Sequence, residues 1–245
     1  MAPPAVAVAG WYGKLPALGD FASRRLPPSF IGVWDPWLQR GLAASRATLG
    51  ERWLEVYLNG PVWRFALLPG LCGETGWLGT MLPSVDRVGR HFPLTLALEV
   101  PTAAHVLAAL TGAADWFAAL DQAALACLDI RCLPEHLEAR LAALAFPVAP
   151  EDAGAAASLL AGWWPAGTGT ALAAPMTGTA ADAIRAAALV RMAEGGHGVS
   201  LWWREGAAPM AGRLLAFHGL PAERDFLLLL DDPDDGLHAG PVQRQ

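Results

Sequence analysis

Over the first hundred positions the apolar residues come in short, punctuated runs; after that they recur at helical spacing. "PAVAVAGWY" (4–12), rich in Val and small residues, predicts a strand that Gly13 ends. "GKLPALGDF" (13–21) reads as a loop punctuated by Pro16 and Gly19, with Asp20 placed to cap the next segment. "SFIGVWDPWLQRGLAASRA" (29–47) turns helical near Asp35, the expected N-cap, with Pro36 at the first helical position. Trp37, Leu38, Gly41, Leu42 and Ser45 then succeed one another on one face. "GERWLEVYLNG" (50–60) predicts a second short helix closed by Asn59-Gly60.

Three strands are expected next. In "PVWRFALLP" (61–69), Val62, Arg64, Ala66 and Leu68 alternate with Trp63, Phe65 and Leu67. "GWLGTMLPS" (76–84) and "FPLTLALEV" (92–100) come after it, and such close spacing predicts an antiparallel meander. Residues 103–128 then predict a helix with Gly112 as a weak point, and 134–146 another that starts at Pro134. Residues 147–180 are broken by Pro and Gly; 180–194 reads as a helix stopped by Gly195-Gly196. A final hairpin is expected from 199–205 and 212–219, then a short helix at 221–230. The fold class implied is α/β of the α+β kind. A single domain over 1–230 packs helices on an antiparallel or mixed sheet, and 231–245 forms a flexible acidic tail.

Composition supports a packed core: 54% of the residues are hydrophobic and 16% charged. The eleven tryptophans each need an apolar surface and a partner for the indole N–H, which places several at the core margin or a contact surface. Residues 1–92 carry nine Lys/Arg against six Asp/Glu, and residues 93–245 eight against seventeen. No basic stripe has the density that phosphate binding needs, which argues against nucleic acid as a partner. Three cysteines, Cys72, Cys127 and Cys132, with no C-x-x-C pair argue against a disulfide framework or a zinc site. No signal-peptide core and no long apolar run are present, so a cytoplasmic protein without membrane insertion is expected.

Local catalytic signatures are missing. The six histidines show no pairing at i+2, i+3 or i+4, and no cofactor or metal is implied. There is no G-x-S-x-G, and "GWYGKLPALGD" lacks the frame of a phosphate-binding loop. The Gly/Thr-rich stretch 167–179 lacks G-x-G-x-x-G.

The densest constellation is "PSVDRVGRHFPL" (83–94), which joins the second and third strands of the meander. Asp86 and Arg90 stand four apart, and Gly89 permits a turn with positive φ. Two readings are open. The stretch is a structural Asp–Arg clasp, or Arg87, Arg90 and His91 present guanidinium groups to an acidic or phosphorylated partner. Lys14, Arg24 and Arg25 extend that patch if the first loop lies beside it.

These residues also carry a resemblance. "GWYGKLPALGDFASRRLPPSF" (10–30), "WDPWLQRGL" (34–42), "YLNGPVWRFALLPGLCG" (57–73) and "MLPSVDRVGRHFPLTLA" (81–97) resemble the TagF (ImpM) family of type VI secretion-associated proteins. "SLWWREG" (200–206) and "FHGLP" (217–221) are similar to it as well, while the Ala-rich middle carries little of the likeness. The resemblance implies a longin-like α/β sandwich and a post-translational repressor of secretion assembly. It also implies a place beside the threonine phosphorylation pathway, with its forkhead-associated scaffold protein as partner. Some relatives are fused to a phosphatase domain, for which these 245 residues leave no room. Lys14, Asp20, Phe21, Arg64, Asp86, Arg87 and Arg90 match motif positions; the resemblance implies no catalytic residues. The competing reading is a small hydrolase that uses Cys72 or Ser84 with a distant His and Asp.

Overall fold

The computed structural model describes residues 8–147, 171–175, 198–206 and 212–230. The expected helix at 180–194 and the tail at 231–245 lie outside the described residues. The chain order is β1 (Gly10–Gly13), β2 (Ala22–Arg24), α1 (Pro28–Leu49), α2 (Trp53–Leu58), β3 (Trp63–Leu67), β4 (Gly76–Leu82) and β5 (Leu94–Val100). Next come α3 (Ala103–Gly112), α4 (Ala114–Ala126), α5 (Pro134–Ala142), β6 (Ala171–Pro175), β7 (Val199–Arg204) and β8 (Arg213–His218).

The strands form one eight-stranded sheet in the order β2-β1-β5-β4-β3-β7-β8-β6. Among the described residues every strand-to-strand pairing is antiparallel, which decides for an antiparallel sheet over a mixed one. The expected meander β3–β4–β5 is its centre, with Phe65 opposite Gly79 and Gly79 opposite Ala97. The β7–β8 hairpin is also present and adds to β3.

Helices cover both faces, so β3 and β4 are buried at every position. A strand buried on two faces has no solvent side to mark with polar residues, which is why these segments read as nearly continuous apolar runs. The alternation in β3 still sorts its side chains. Trp63, Phe65 and Leu67 pack with Phe30, Trp34, Trp37 and Leu38 of α1. Ala66 and the adjoining Leu68 share the opposite core with Val106, Leu110, Trp116, Phe117 and Leu120 of α3 and α4.

Several boundaries differ from the sequence expectations. Helix α1 starts at Pro28, with Pro27 as N-cap, and Pro36 lies inside it. Pro28 supplies the fixed φ of a first helical residue, and Phe30 and Trp34, one turn apart, already bury against the sheet. Asp35 caps nothing; its carboxylate accepts from the Tyr12 hydroxyl at 2.5 Å and from Gln39 Nε2 at 2.6 Å. The helix expected over 103–128 is two helices, divided at Ala113, whose φ of −112° and ψ of 26° close α3. Helix α5 stops at Ala142, short of Phe146. Residues 221–230 form a turn and a short 3-10 helix, Phe226–Leu229, in place of an α-helix.

The tryptophans also sit deeper than expected. Trp11, Trp34, Trp37, Trp53, Trp63, Trp77, Trp116, Trp202 and Trp203 are all buried. Interior partners satisfy several of the indole N–H groups: Trp34 donates to Thr95, Trp53 to Ser45, Trp37 to the Pro221 carbonyl and Trp63 to the Leu229 carbonyl. The last two bonds tie the 221–230 turn to the α1 layer. Gly41 completes that seam, because a Cβ there would stand 2.2 Å from the Phe226 ring.

That contact reverses an ordinary expectation. On helix propensity alone Gly41→Ala gains about 1 kcal/mol. Against the Phe226 ring it overpacks, at a cost of roughly 1–3 kcal/mol. Urea denaturation is expected to show a net loss of stability; a gain would mean that α1 does not press on the 226–229 turn.

Candidate functional site

Two loops at one end of the sheet build the site. The first, 14–21, links β1 to β2; the second, 83–93, links β4 to β5. Antiparallel pairing of β1 with β5 brings them together, and the close approach requires a glycine at 13. Gly13 has a φ of +136°, and a Cβ there would lie 2.1 Å from the Pro93 carbonyl oxygen.

Asp86 organises the pair of loops. It is 3% exposed, and both carboxylate oxygens are filled. Oδ1 accepts from the main-chain N–H groups of Val88 at 3.0 Å and Arg90 at 2.9 Å. Oδ2 accepts from Lys14 Nζ at 2.5 Å and from Arg90 Nε at 2.7 Å. Main-chain bonds Asp86 N–H to Arg90 O and Gly89 N–H to Asp86 O close the turn, and Gly89 takes a φ of 81°. Burial pushes the Asp86 carboxyl up, but the hydrogen bonds from Lys14, Arg90 and Val88 outweigh it and hold it well below the usual carboxylate range.

A second set of bonds fastens the loops to each other. Arg87 N–H donates to the Leu18 carbonyl at 2.8 Å, and Arg90 Nη2 donates to the Gly19 carbonyl. Ser84 Oγ donates to the Lys14 carbonyl at 2.8 Å. The Tyr57 hydroxyl of α2 donates to Ser84 O at 2.9 Å and accepts from Ser84 N–H at 3.1 Å. His91 packs edge-on against Trp53 and Tyr57, and burial together with the Arg46 guanidinium lowers its pKa.

The residues singled out from the sequence therefore divide. Lys14 is 3% exposed and sits under the Phe21 ring at 4.6 Å, so it belongs to the clasp and does not extend an open cationic patch. Arg90 is shared: it binds Asp86, and its outer nitrogen also lies 3.8 Å from Asp20 Oδ1. Asp20, Phe21, Arg87 and Val88 are exposed on the same corner. Phe21 is 44% exposed although it stacks on Tyr12 and meets Phe92 edge-on, and Val88 is 67% exposed. Arg87 lies over Gly19, whose Cβ position is 3.4 Å from the guanidinium.

Arg24 is exposed on the edge strand β2. Arg25 takes a φ of 60° and is occupied: it donates to the Ala9 carbonyl and pairs with Glu138 of α5. Arg64 points into the opposite core layer, where it pairs with Asp121 at 2.7 Å and Glu205 at 3.0 Å. Burial raises the pKa of Asp121 against the pull of Arg64 and Thr80. Sequence reasoning missed Tyr57, Ser84 as an anchor, and the partners Asp121 and Glu138. They lie 27 to 127 positions from the groups they hold, and nothing local marks them.

The hydrolase candidates are placed poorly for chemistry. Cys72 is buried, and burial pushes its thiol up to about 12, which disfavours the thiolate. Ser84 is buried and its hydroxyl proton is committed to a carbonyl. Among the described residues no group of three or more His, Cys, Asp or Glu side chains could hold a metal ion. Among them also, no helix is long and apolar enough to cross a membrane.

The clasp makes a pH prediction. A carboxyl held below its unfolded value contributes stability that is fully present above the unfolded pKa of about 4 and lost as pH falls through the folded value. Asp86→Asn is expected to flatten the acid limb of the unfolding curve below about pH 5. At pH 7 it is expected to cost about 3–5 kcal/mol, because Lys14 is left charged and buried. An unchanged acid limb would show that Asp86 does not carry the loops. The double variant Lys14→Met/Asp86→Asn is expected to recover part of the loss.

The family model of the TagF N-terminal domain, type VI secretion system-associated, matches residues 10–144. The match runs past the motif-rich stretch and through α3, α4 and α5. The chain is also similar to a solved structure, the crystal structure of PA0076 from Pseudomonas aeruginosa PAO1. The two are 34% identical, the alignment covers 91% of this chain and 93% of that one, and the TM-score is 0.69. None of the curated proteins is matched. With the family model spanning more than half of its length, the clasp loops included, the chain belongs to the TagF family of type VI secretion-associated proteins.

Proposed function

We propose that this protein is a non-enzymatic repressor of type VI secretion assembly. It acts in the cytoplasm by protein–protein contact, and its partner is the forkhead-associated scaffold protein of the threonine phosphorylation pathway. Membership of the TagF family over residues 10–144 carries this reading. The corner made by Asp20, Phe21, Arg87, Val88 and Arg90 supports it as the contact surface. It offers an aromatic ring, an aliphatic side chain and a guanidinium, which are chemistries suited to an interface anchor and an acidic partner.

The clasp also dictates which variant tests the surface. Arg90 holds Asp86, so reversing its charge would set two carboxylates against each other and disturb the fold. The hydrogen bond that Arg87 gives to the first loop comes from its main-chain N–H, and its guanidinium only lies over Gly19, so its side chain can be changed without breaking the clasp. Tagged protein purified from its native host and read by mass spectrometry is expected to enrich the scaffold. Arg87→Glu, with an unchanged circular dichroism spectrum, is expected to reduce that enrichment about tenfold or more, the scale of one interfacial anchor. Equal enrichment by the variant would move the surface elsewhere on the molecule. Absence of every secretion component from the wild-type sample would overturn the repressor reading.

A further inference from the structure

The α4–α5 turn holds two thiols in contact. Cys127 is the C-cap of α4, and Cys132 lies just before α5. Their sulfurs are 3.1 Å apart, with neither bonded to the other. That is about 1 Å longer than a disulfide bond, so the side chains can close it without transport of the backbone. The turn between them is fixed in the reduced state. Leu128 N–H donates to Leu125 O, Asp129 N–H to Ala126 O, and Cys132 N–H to Asp129 O. The Asp129 carboxylate accepts from the Arg131 guanidinium at 2.6 Å and from Arg131 N–H at 2.9 Å, and these bonds bring its pKa down to about 2.

We infer that Cys127 and Cys132 form a redox site that a small-molecule disulfide converts reversibly into an intramolecular disulfide. Cys132, 8% exposed, is the entry sulfur; Cys127, fully buried, is the resolving one. In the first step the Cys132 thiolate attacks one sulfur of the reagent. A protein–reagent mixed disulfide forms, and one reagent thiol leaves with the proton from Cys132. In the second step Cys127 attacks Cys132 Sγ, the internal disulfide forms, and the second reagent thiol leaves with the proton from Cys127. Two protein thiols are oxidised and one reagent disulfide is reduced to two thiols. Burial and the neighbouring thiol raise the pKa of Cys127, so the second step accelerates as pH rises.

The site lies in the helical layer, in a different core from Cys72, and its state controls a distinctive surface. The linked turn exposes Leu128, Ile130 and Leu133, with Ile130 61% accessible. Oxidation cross-links the base of this apolar turn, so its mobility becomes redox-dependent.

The test uses the full chain incubated with glutathione disulfide, then alkylated in denaturant and read by intact mass and peptide mapping. The expected product loses two of its three alkylatable thiols, links the Cys127 and Cys132 peptides, keeps Cys72 alkylatable, and reverts with dithiothreitol. Cys127→Ser is expected to stop at a stable glutathione adduct on Cys132. Cys132→Ser is expected to leave Cys127 free. Three alkylatable thiols after long incubation, a link to Cys72, or a glutathione adduct that persists on Cys132 of the wild-type chain would each overturn the proposal.

Discussion

A carboxylate that is buried and ionised must have its lone pairs filled, and the Asp86 carboxylate meets this demand with four donors from two loops. Much of the first half of the chain is arranged to supply them. Lys14 comes from the β1–β2 connection, Arg90 from the β4–β5 connection, and the turn between Asp86 and Arg90 is wound so that its own N–H groups point inward. Tyr57 of α2 then secures the main chain at Ser84. A charge isolated in this position would cost several kcal/mol. The loops therefore hold one geometry and not a range of them.

That rigidity bears on function in a TagF-family protein. Exposed Phe21, Arg87 and Val88 stand on a surface whose backbone is already fixed. A partner that docks there does not have to order the loops first, which lowers the entropic cost of association. On the proposed reading the same motif serves two ends. Its inner residues hold the corner together, and its exposed ones, Arg87 and Val88, meet the partner. A D-R-V-G-R segment can be both clasp and surface because different positions of a tight turn face opposite ways.

The other face of the sheet solves a similar problem with different residues. Arg64 projects from β3 into the α3–α4 layer, where Asp121 and Glu205 accept from it and Thr80 donates to Asp121. The charge is spread across a strand, a helix and the end of β7, so it binds three elements together. The thiol pair at the α4–α5 turn is a different kind of link. It is held by packing in the helical core and by the main-chain bonds of its turn, with the two sulfurs in contact.

The sequence by itself determined the central meander, the terminal hairpin and the site motif. Strand alternation in 61–69 separates Trp63, Phe65 and Leu67 from Arg64, Ala66 and Leu68, and it does so because adjacent side chains of a strand must leave on opposite faces. The pairing of Asp86 with Arg90 was legible because both lie in one turn. Other features were decided only by the tertiary structure. Pro36 carries the same signal at a helix start as inside one, and only the burial of Phe30 and Trp34 against the sheet draws α1 back to Pro28. Lys14 reads as a surface cation until Asp86, 72 positions away, is found above it. Whether a charge is open or clasped depends on a partner that chain folding delivers, and no local pattern records that partner.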